Sequence, residues 1–179
     1  QKKQPKTARY VAIQSLCNLY ENRLPIKPVF ESAIKQYRLP TSERSLAMHL
    51  IYGVLRKRQY LDRIIQILSK TPLRKIDPFV HQALAVGLYQ LFFLERIPES
   101  AAVNEVINSC KAAGIPKRLH GFTNGILRES IRQKDKLIHK ATSNSNNSPI
   151  LNHPEWLVTR WQKNFGQEVT ARICACNND

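Results

Sequence analysis

Residues 77 to 94 read DPFVHQALAVGLYQLFFL. Asp77 offers a side-chain cap and Pro78 stands where its missing N–H costs nothing, so the pair predicts a helix start. Beyond them the run is apolar on nearly every side of a helical wheel. A helix of that kind is enclosed by others, which makes this segment the expected centre of an all-α bundle. The apolar run Leu84 to Leu94 falls well short of the roughly 20 residues of a membrane span and lies too deep in the chain for a signal peptide.

Working outward, the flanking segments carry helical periodicity. Thr7 is a good cap for a helix in which Val11, Ala12, Leu16, Leu19 and Tyr20 recur at spacings of three and four. After a loop at Pro25, Pro28 is placed for a first helical turn, and Val29, Phe30, Ala33, Ile34 and Tyr37 form an apolar face that ends before Pro40. Thr41 or Ser42 is expected to cap a third helix with the stripe Leu46, Leu50, Ile51 and Val54. If that helix continues past Arg58, the stripe extends through Leu61, Ile64, Ile65 and Leu68. On the other side, Pro98 opens a helix closed by Gly114, and Pro116 precedes the helix that holds HGFTNGILRESIRQ. No alternating β pattern of useful length appears.

The texture changes after Lys140. ATSNSNNSP, from Ala141 to Pro149, cannot bury enough apolar area to order itself, and residues 141–152 are read as a polar linker between a helical domain at 1–140 and a helical segment at 153–179. That tail holds both tryptophans, Trp156 and Trp161, and Gly166 breaks its pattern. A piece of about 25 residues makes no core of its own, so it docks on the bundle or belongs to a further domain.

Charge is the strongest global signal. The chain carries 28 Lys and Arg against 13 Asp and Glu, a net +15. The excess is concentrated in residues 1–75, which hold 16 cations and 4 acids. Such a polycation repels itself unless a polyanion screens it. With no amphipathic terminal helix of the membrane-surface kind, the partner expected is a nucleic acid and not a membrane. Within YGVLRKRQYLDR, residues 52–63, stand Arg56, Lys57 and Arg58. On a continuous helix Arg56, Arg63 and Lys70 form one stripe that drifts only about 20° per heptad. Lys57 and Arg58 widen the ridge, Arg74 and Lys75 extend it, and Arg128 either joins the basic surface or pairs with Glu105 or Asp62. These eight cations are the candidate RNA contacts, through forked guanidinium and mobile ammonium donors to phosphate.

Asn104 and Asn124 interrupt apolar helices where Asn has poor propensity, so they are expected to be structural polar residues bonded to backbone. Tyr89, Phe92, Phe93 and Phe122 lie within apolar runs and are read as core. Cys17, Cys110, Cys174 and Cys176 lack zinc-ligand spacing, the last two facing different ways on a helix, and the five histidines show no paired metal-ligand spacing. The 6 glycines compose no phosphate-binding motif. No catalytic residue, metal or cofactor site is assigned to the chain, which reads as a soluble, cytoplasmic helical binding module of unassigned oligomeric state.

Several stretches together carry a resemblance. YGVLR with Leu61 and Asp62, then LAVGLYQLFFL, then IPESAAVNEVI (Ile97 to Ile107), then GFTNGILR (Gly121 to Arg128) resemble, in order and spacing, the NusB-like N-terminal domain of bacterial small-subunit rRNA cytosine methyltransferases, the Sun or Fmu family. HPEWLVTRW with Phe165, Gly166, Asn177 and Asn178 is similar to the segment that opens the methyltransferase portion. The resemblance implies a helical domain that helps to hold 16S ribosomal RNA, joined in a parent protein to a catalytic domain that uses S-adenosylmethionine to methylate cytosine at carbon five. Cys174 and Cys176 do not match the family's catalytic contexts, and no cofactor motif is present, so the expectation is a front fragment whose parent is the enzyme. The alternative is a self-standing NusB-like RNA-binding adaptor in transcription antitermination or ribosome assembly.

Overall fold

Why the segment at 77–94 takes the centre is visible in its burial: from Val80 to Leu91 only His81 escapes full burial. The computed structural model describes residues 7–22, 24–143 and 152–178. These form nine α-helices and one 3₁₀ turn, with no strand among the described residues. In chain order they are α1 (Ala8–Asn22), α2 (Ile26–Tyr37), α3 (Thr41–Arg56), α4 (Arg58–Leu68), the 3₁₀ turn Leu73–Lys75, α5 (Pro78–Phe93), α6 (Glu99–Ala112), α7 (Lys117–Arg132), α8 (Lys134–Ser143) and α9 (Glu155–Asn178). Helix α5 packs against α1, α3, α4, α6 and α7. The fold is an all-α bundle wound around it.

Asp77 caps α5 as its side chain accepts from the Val80 N–H at 3.1 Å, with Pro78 in the first turn. Two glutamines are buried in α5, and each is satisfied. The Gln82 side-chain oxygen accepts from Arg58 at 2.7 Å. That of Gln90 accepts from Arg9 at 3.0 Å, while its amide donates to the Val86 carbonyl at 3.1 Å. The expected core aromatics are in place: Tyr89 is buried and stacks on half-buried Phe93 with ring centroids 5.4 Å apart, and Phe92 and Phe122 are half-buried.

One helix start, that of α3, differs from expectation. Pro25 precedes α2, and Pro28 stands third in that helix, in its first turn as expected; Pro40 precedes α3, where neither Thr41 nor Ser42 serves as a side-chain cap. The expected linker also begins later, because Ala141 is buried in the last turn of α8. Residues 144–151 of that run lie outside the described residues. Helix α9 breaks at Gly166, whose φ of 79° and ψ of 169° belong to no helix.

Candidate nucleic-acid interface

The expected continuous helix through the cation run does not form. Helix α3 ends at Arg56, Lys57 sits between helices at φ −102° and ψ 18°, and α4 starts at Arg58 and stops at Leu68. Lys70 therefore lies beyond the helix, and Arg56, Arg63 and Lys70 do not form one ridge. Arg58 leaves the exposed set altogether. Its Nε donates to Asp62 at 2.9 Å, one Nη donates to Gln82 at 2.7 Å, and the guanidinium lies 4.5 Å from the Tyr20 ring centroid. The other Nη lies against the His81 ring, 3.3 Å from Nδ1 and 3.2 Å from Nε2, and Nε2 is 2.8 Å from Asp62. The signal was present in the spacing: Arg58, Leu61 and Ile65 fall on one face of α4, and the last two are buried, so position 58 lies on the core side.

The remaining cations fall into separate groups. Lys70, Arg74 and Lys75 are exposed on the connector between α4 and α5, the last two on the 3₁₀ turn. Arg63 is half-buried on α4, while Arg56 is exposed at the end of α3. Lys57 donates to the Asn178 carbonyl and lies 5.3 Å from the Phe93 ring centroid. Arg128 is exposed on α7, where Asn124 accepts its Nε–H at 3.0 Å, in a cleft shared with Glu99 and Arg132. It pairs with neither Glu105 nor Asp62. The expectation for the asparagines needs correction as well: Asn104 is exposed, and half-buried Asn124 bonds a side chain one turn away in place of backbone. Both positions lie off the buried stripes of their helices.

Beside Arg56 the structure shows a feature that the cation pattern did not reveal. An open groove of about 410 Å³ is lined by Ser45, Met48, His49, Tyr52, Arg56 and Tyr89, with Gly53 at its floor. The Tyr89 ring packs so closely over Gly53 that a Cβ there would collide with it. The Tyr89 hydroxyl lies 3.4 Å from His49 Nε2. Burial raises the pKa of that phenol, with Arg56 opposing, so the hydroxyl stays protonated. Residues 45, 48, 49, 52 and 56 fall on the face of α3 opposite its core stripe, and that periodicity identifies Tyr52 as an aromatic with no core to enter.

The tail docks at the break between α3 and α4. The N-terminus of α4 leaves its Tyr60 N–H without an intrahelical partner, and the Asn152 side chain accepts it at 3.0 Å. Gln59 binds the same turn, its side chain accepting from the Asn152 N–H at 2.9 Å and donating to the His153 carbonyl at 3.3 Å. Asn152 also donates to the Asn178 side chain at 3.4 Å. Both ends of the tail thus meet at α4, and the bend at Gly166 makes the return possible. Asn152→Gly, which keeps the residue's left-handed backbone (φ 78°) but removes its side chain, is expected to loosen the tail. Fluorescence of the two tail tryptophans would then respond to urea before helical circular dichroism does. Coincident transitions at the wild-type midpoint would refute this anchoring role.

Two buried thiols are held in the protonated form. Burial pushes Cys17 up to about 12 and Cys110 up to about 11, with Glu21 and Asp77 adding smaller upward effects at Cys17. Neither forms a thiolate near neutral pH. Among the described residues no group of three or more His, Cys, Asp or Glu is placed to hold a metal, and no helix is long and apolar enough to cross a membrane.

Comparison with known proteins gives the arrangement a context. The model of the NusB family matches residues 6–132. The chain is 32% identical over 176 residues to the probable ribosomal RNA small subunit methyltransferase B of Bacillus subtilis, which covers 94% of this chain and 37% of that protein. With ribosomal RNA small subunit methyltransferase B of Proteus mirabilis it shares 33% identity over 170 residues, covering 95% of this chain and 38% of the relative. The chain spans well under half the length of these relatives. A crystal structure of the antitermination factors NusB and NusE in complex with dsRNA contains a similar chain, with a TM-score of 0.65 and 17% identity over 74% of this chain and 98% of that one.

Proposed function

The chain belongs to the NusB family, and on that premise we propose that it is the RNA-holding part of an enzyme that methylates small-subunit ribosomal RNA. The observation that carries the reading is the extent of the similarity. The family match ends at residue 132, yet the methyltransferase relatives align over 94–95% of the chain, which takes in most of the tail seated on α4. A free-standing adaptor of the NusB type has no evident use for that tail. In this reading the partner is 16S ribosomal RNA in the cytoplasm. Methyl transfer from S-adenosylmethionine to cytosine carbon five is work for the part of the longer relatives that this chain does not span.

The chain's own task is to grip the phosphate backbone. Arg56, Lys70, Arg74, Lys75 and Arg128 are the exposed cations for it, with Arg63 partly accessible, whereas Arg58 is engaged inside the fold. Binding by such contacts releases counterions and weakens steeply with salt. For a labelled single-stranded fragment of small-subunit rRNA titrated by fluorescence anisotropy, we expect log K to fall against log salt with a slope of roughly −3 if four cations meet phosphates. A slope near zero, or no binding at low salt, would overturn the proposal.

A further inference from the structure

The groove beside Arg56 is built for more than charge. Tyr52 is 46% exposed and Met48 45% exposed, side by side on the solvent face of α3. Between them and the Tyr89 ring the groove offers apolar walls, while Ser45, His49 and the Tyr89 hydroxyl set polar groups along it. Arg56 stands at the same opening, and among the described residues no carboxylate pairs with its guanidinium as Asp62 pairs with Arg58. An apolar protein surface laid here would bury the Arg56 guanidinium and the Ser45 hydroxyl without new partners, which is costly. A nucleotide matches each part: a flat base for the exposed ring, hydrogen-bonding edges for the polar groups, and a phosphate for the guanidinium.

We propose that this groove binds one unpaired nucleotide of an RNA strand, its base stacked on Tyr52 and its phosphate held by Arg56. The inference rests on the RNA-binding reading and deepens it, by adding a contact that does not depend on salt to those that do. A phosphate contact alone would hold any segment of backbone. Stacking requires a base turned out of its helix, so the groove selects single-stranded or bulged RNA over a continuous duplex.

The test is anisotropy titration of the whole chain with a labelled single-stranded RNA and with a duplex of the same sequence, for wild type, Tyr52→Ala, Tyr52→Phe and Arg56→Gln. Tyr52 is exposed, so its replacement leaves the core intact, and circular dichroism verifies the fold. Tyr52→Ala is expected to weaken single-strand binding by roughly 5- to 150-fold with an unchanged salt slope, the usual range for loss of one base stack. Tyr52→Phe should retain wild-type affinity, and Arg56→Gln should reduce the magnitude of the salt slope by about 0.7. With 4-thiouracil in the RNA, ultraviolet crosslinking should place the adduct within residues 45–56. Unchanged RNA affinity in Tyr52→Ala, alongside salt-sensitive binding by the wild type, would overturn the groove and leave the general reading standing. Failure of the wild type to bind any RNA would overturn both.

Discussion

Leu127→Ala is expected to lower the stability of the bundle by about 3 to 5 kcal/mol, the upper part of the range for losing a buried leucine. Leu127 on α7 is fully buried, and its methyl groups lie over Gly87 on α5. The cost of such a truncation depends on how far the surroundings collapse into the space. Here the opposing surface is backbone, which has no side chain to swing inward. The reverse change is informative too. A Cβ at Gly87 would lie 2.7 Å from Leu127 Cδ2, so Gly87→Ala is expected to cost about 1 to 3 kcal/mol through overpacking. Combining the two substitutions supplies volume where volume was lost, and the pair should cost less than the sum by about 1 kcal/mol. Urea unfolding followed at 222 nm would measure all three variants. Strict additivity would show that α5 and α7 do not meet through this pair.

Arg58→Ala and Arg56→Ala remove the same charge two residues apart and are expected to fail in different ways. Arg58→Ala strips Gln82, 3% exposed, of the donor to its carbonyl oxygen and leaves Asp62 with His81 alone. Breaking a largely buried, hydrogen-bonded ion pair from one side costs about 2 to 4 kcal/mol, because the surviving polar groups remain desolvated. Its RNA affinity, measured well below the melting temperature, should stay near that of the wild type. Arg56→Ala, at an exposed helix end, should change stability by less than about 0.5 kcal/mol and weaken RNA binding. Thermal melts paired with anisotropy titrations decide the matter. An Arg58→Ala protein of wild-type stability with weakened RNA binding would return Arg58 to the exposed surface and contradict the internal cluster.

The cation run shows how far a one-dimensional reading reaches. Arg56, Lys57 and Arg58 look equivalent in sequence, yet one is exposed, one reaches across to the tail and one is turned inward. A charge count does not distinguish them, whereas the spacing of Arg58, Leu61 and Ile65 would have singled out Arg58. The asparagines teach the converse. Asn104 and Asn124 stand among apolar letters, but neighbours in sequence on a helix point in different directions, so their company said little about their burial.

What the sequence determined by itself was the all-α bundle, its central helix with the Asp77 cap, and the basic N-terminal portion. These follow from local periodicity, capping chemistry and composition, which act within a few turns of chain. The tertiary structure alone decided where the long helix breaks at Lys57, that Asn152 caps α4 across 92 residues, and that Tyr52, Tyr89 and Arg56 share a groove. Each of those depends on contacts between segments far apart in sequence, and no local pattern encodes which distant backbone amide is left for a side chain to satisfy or which aromatic ring is left without a core.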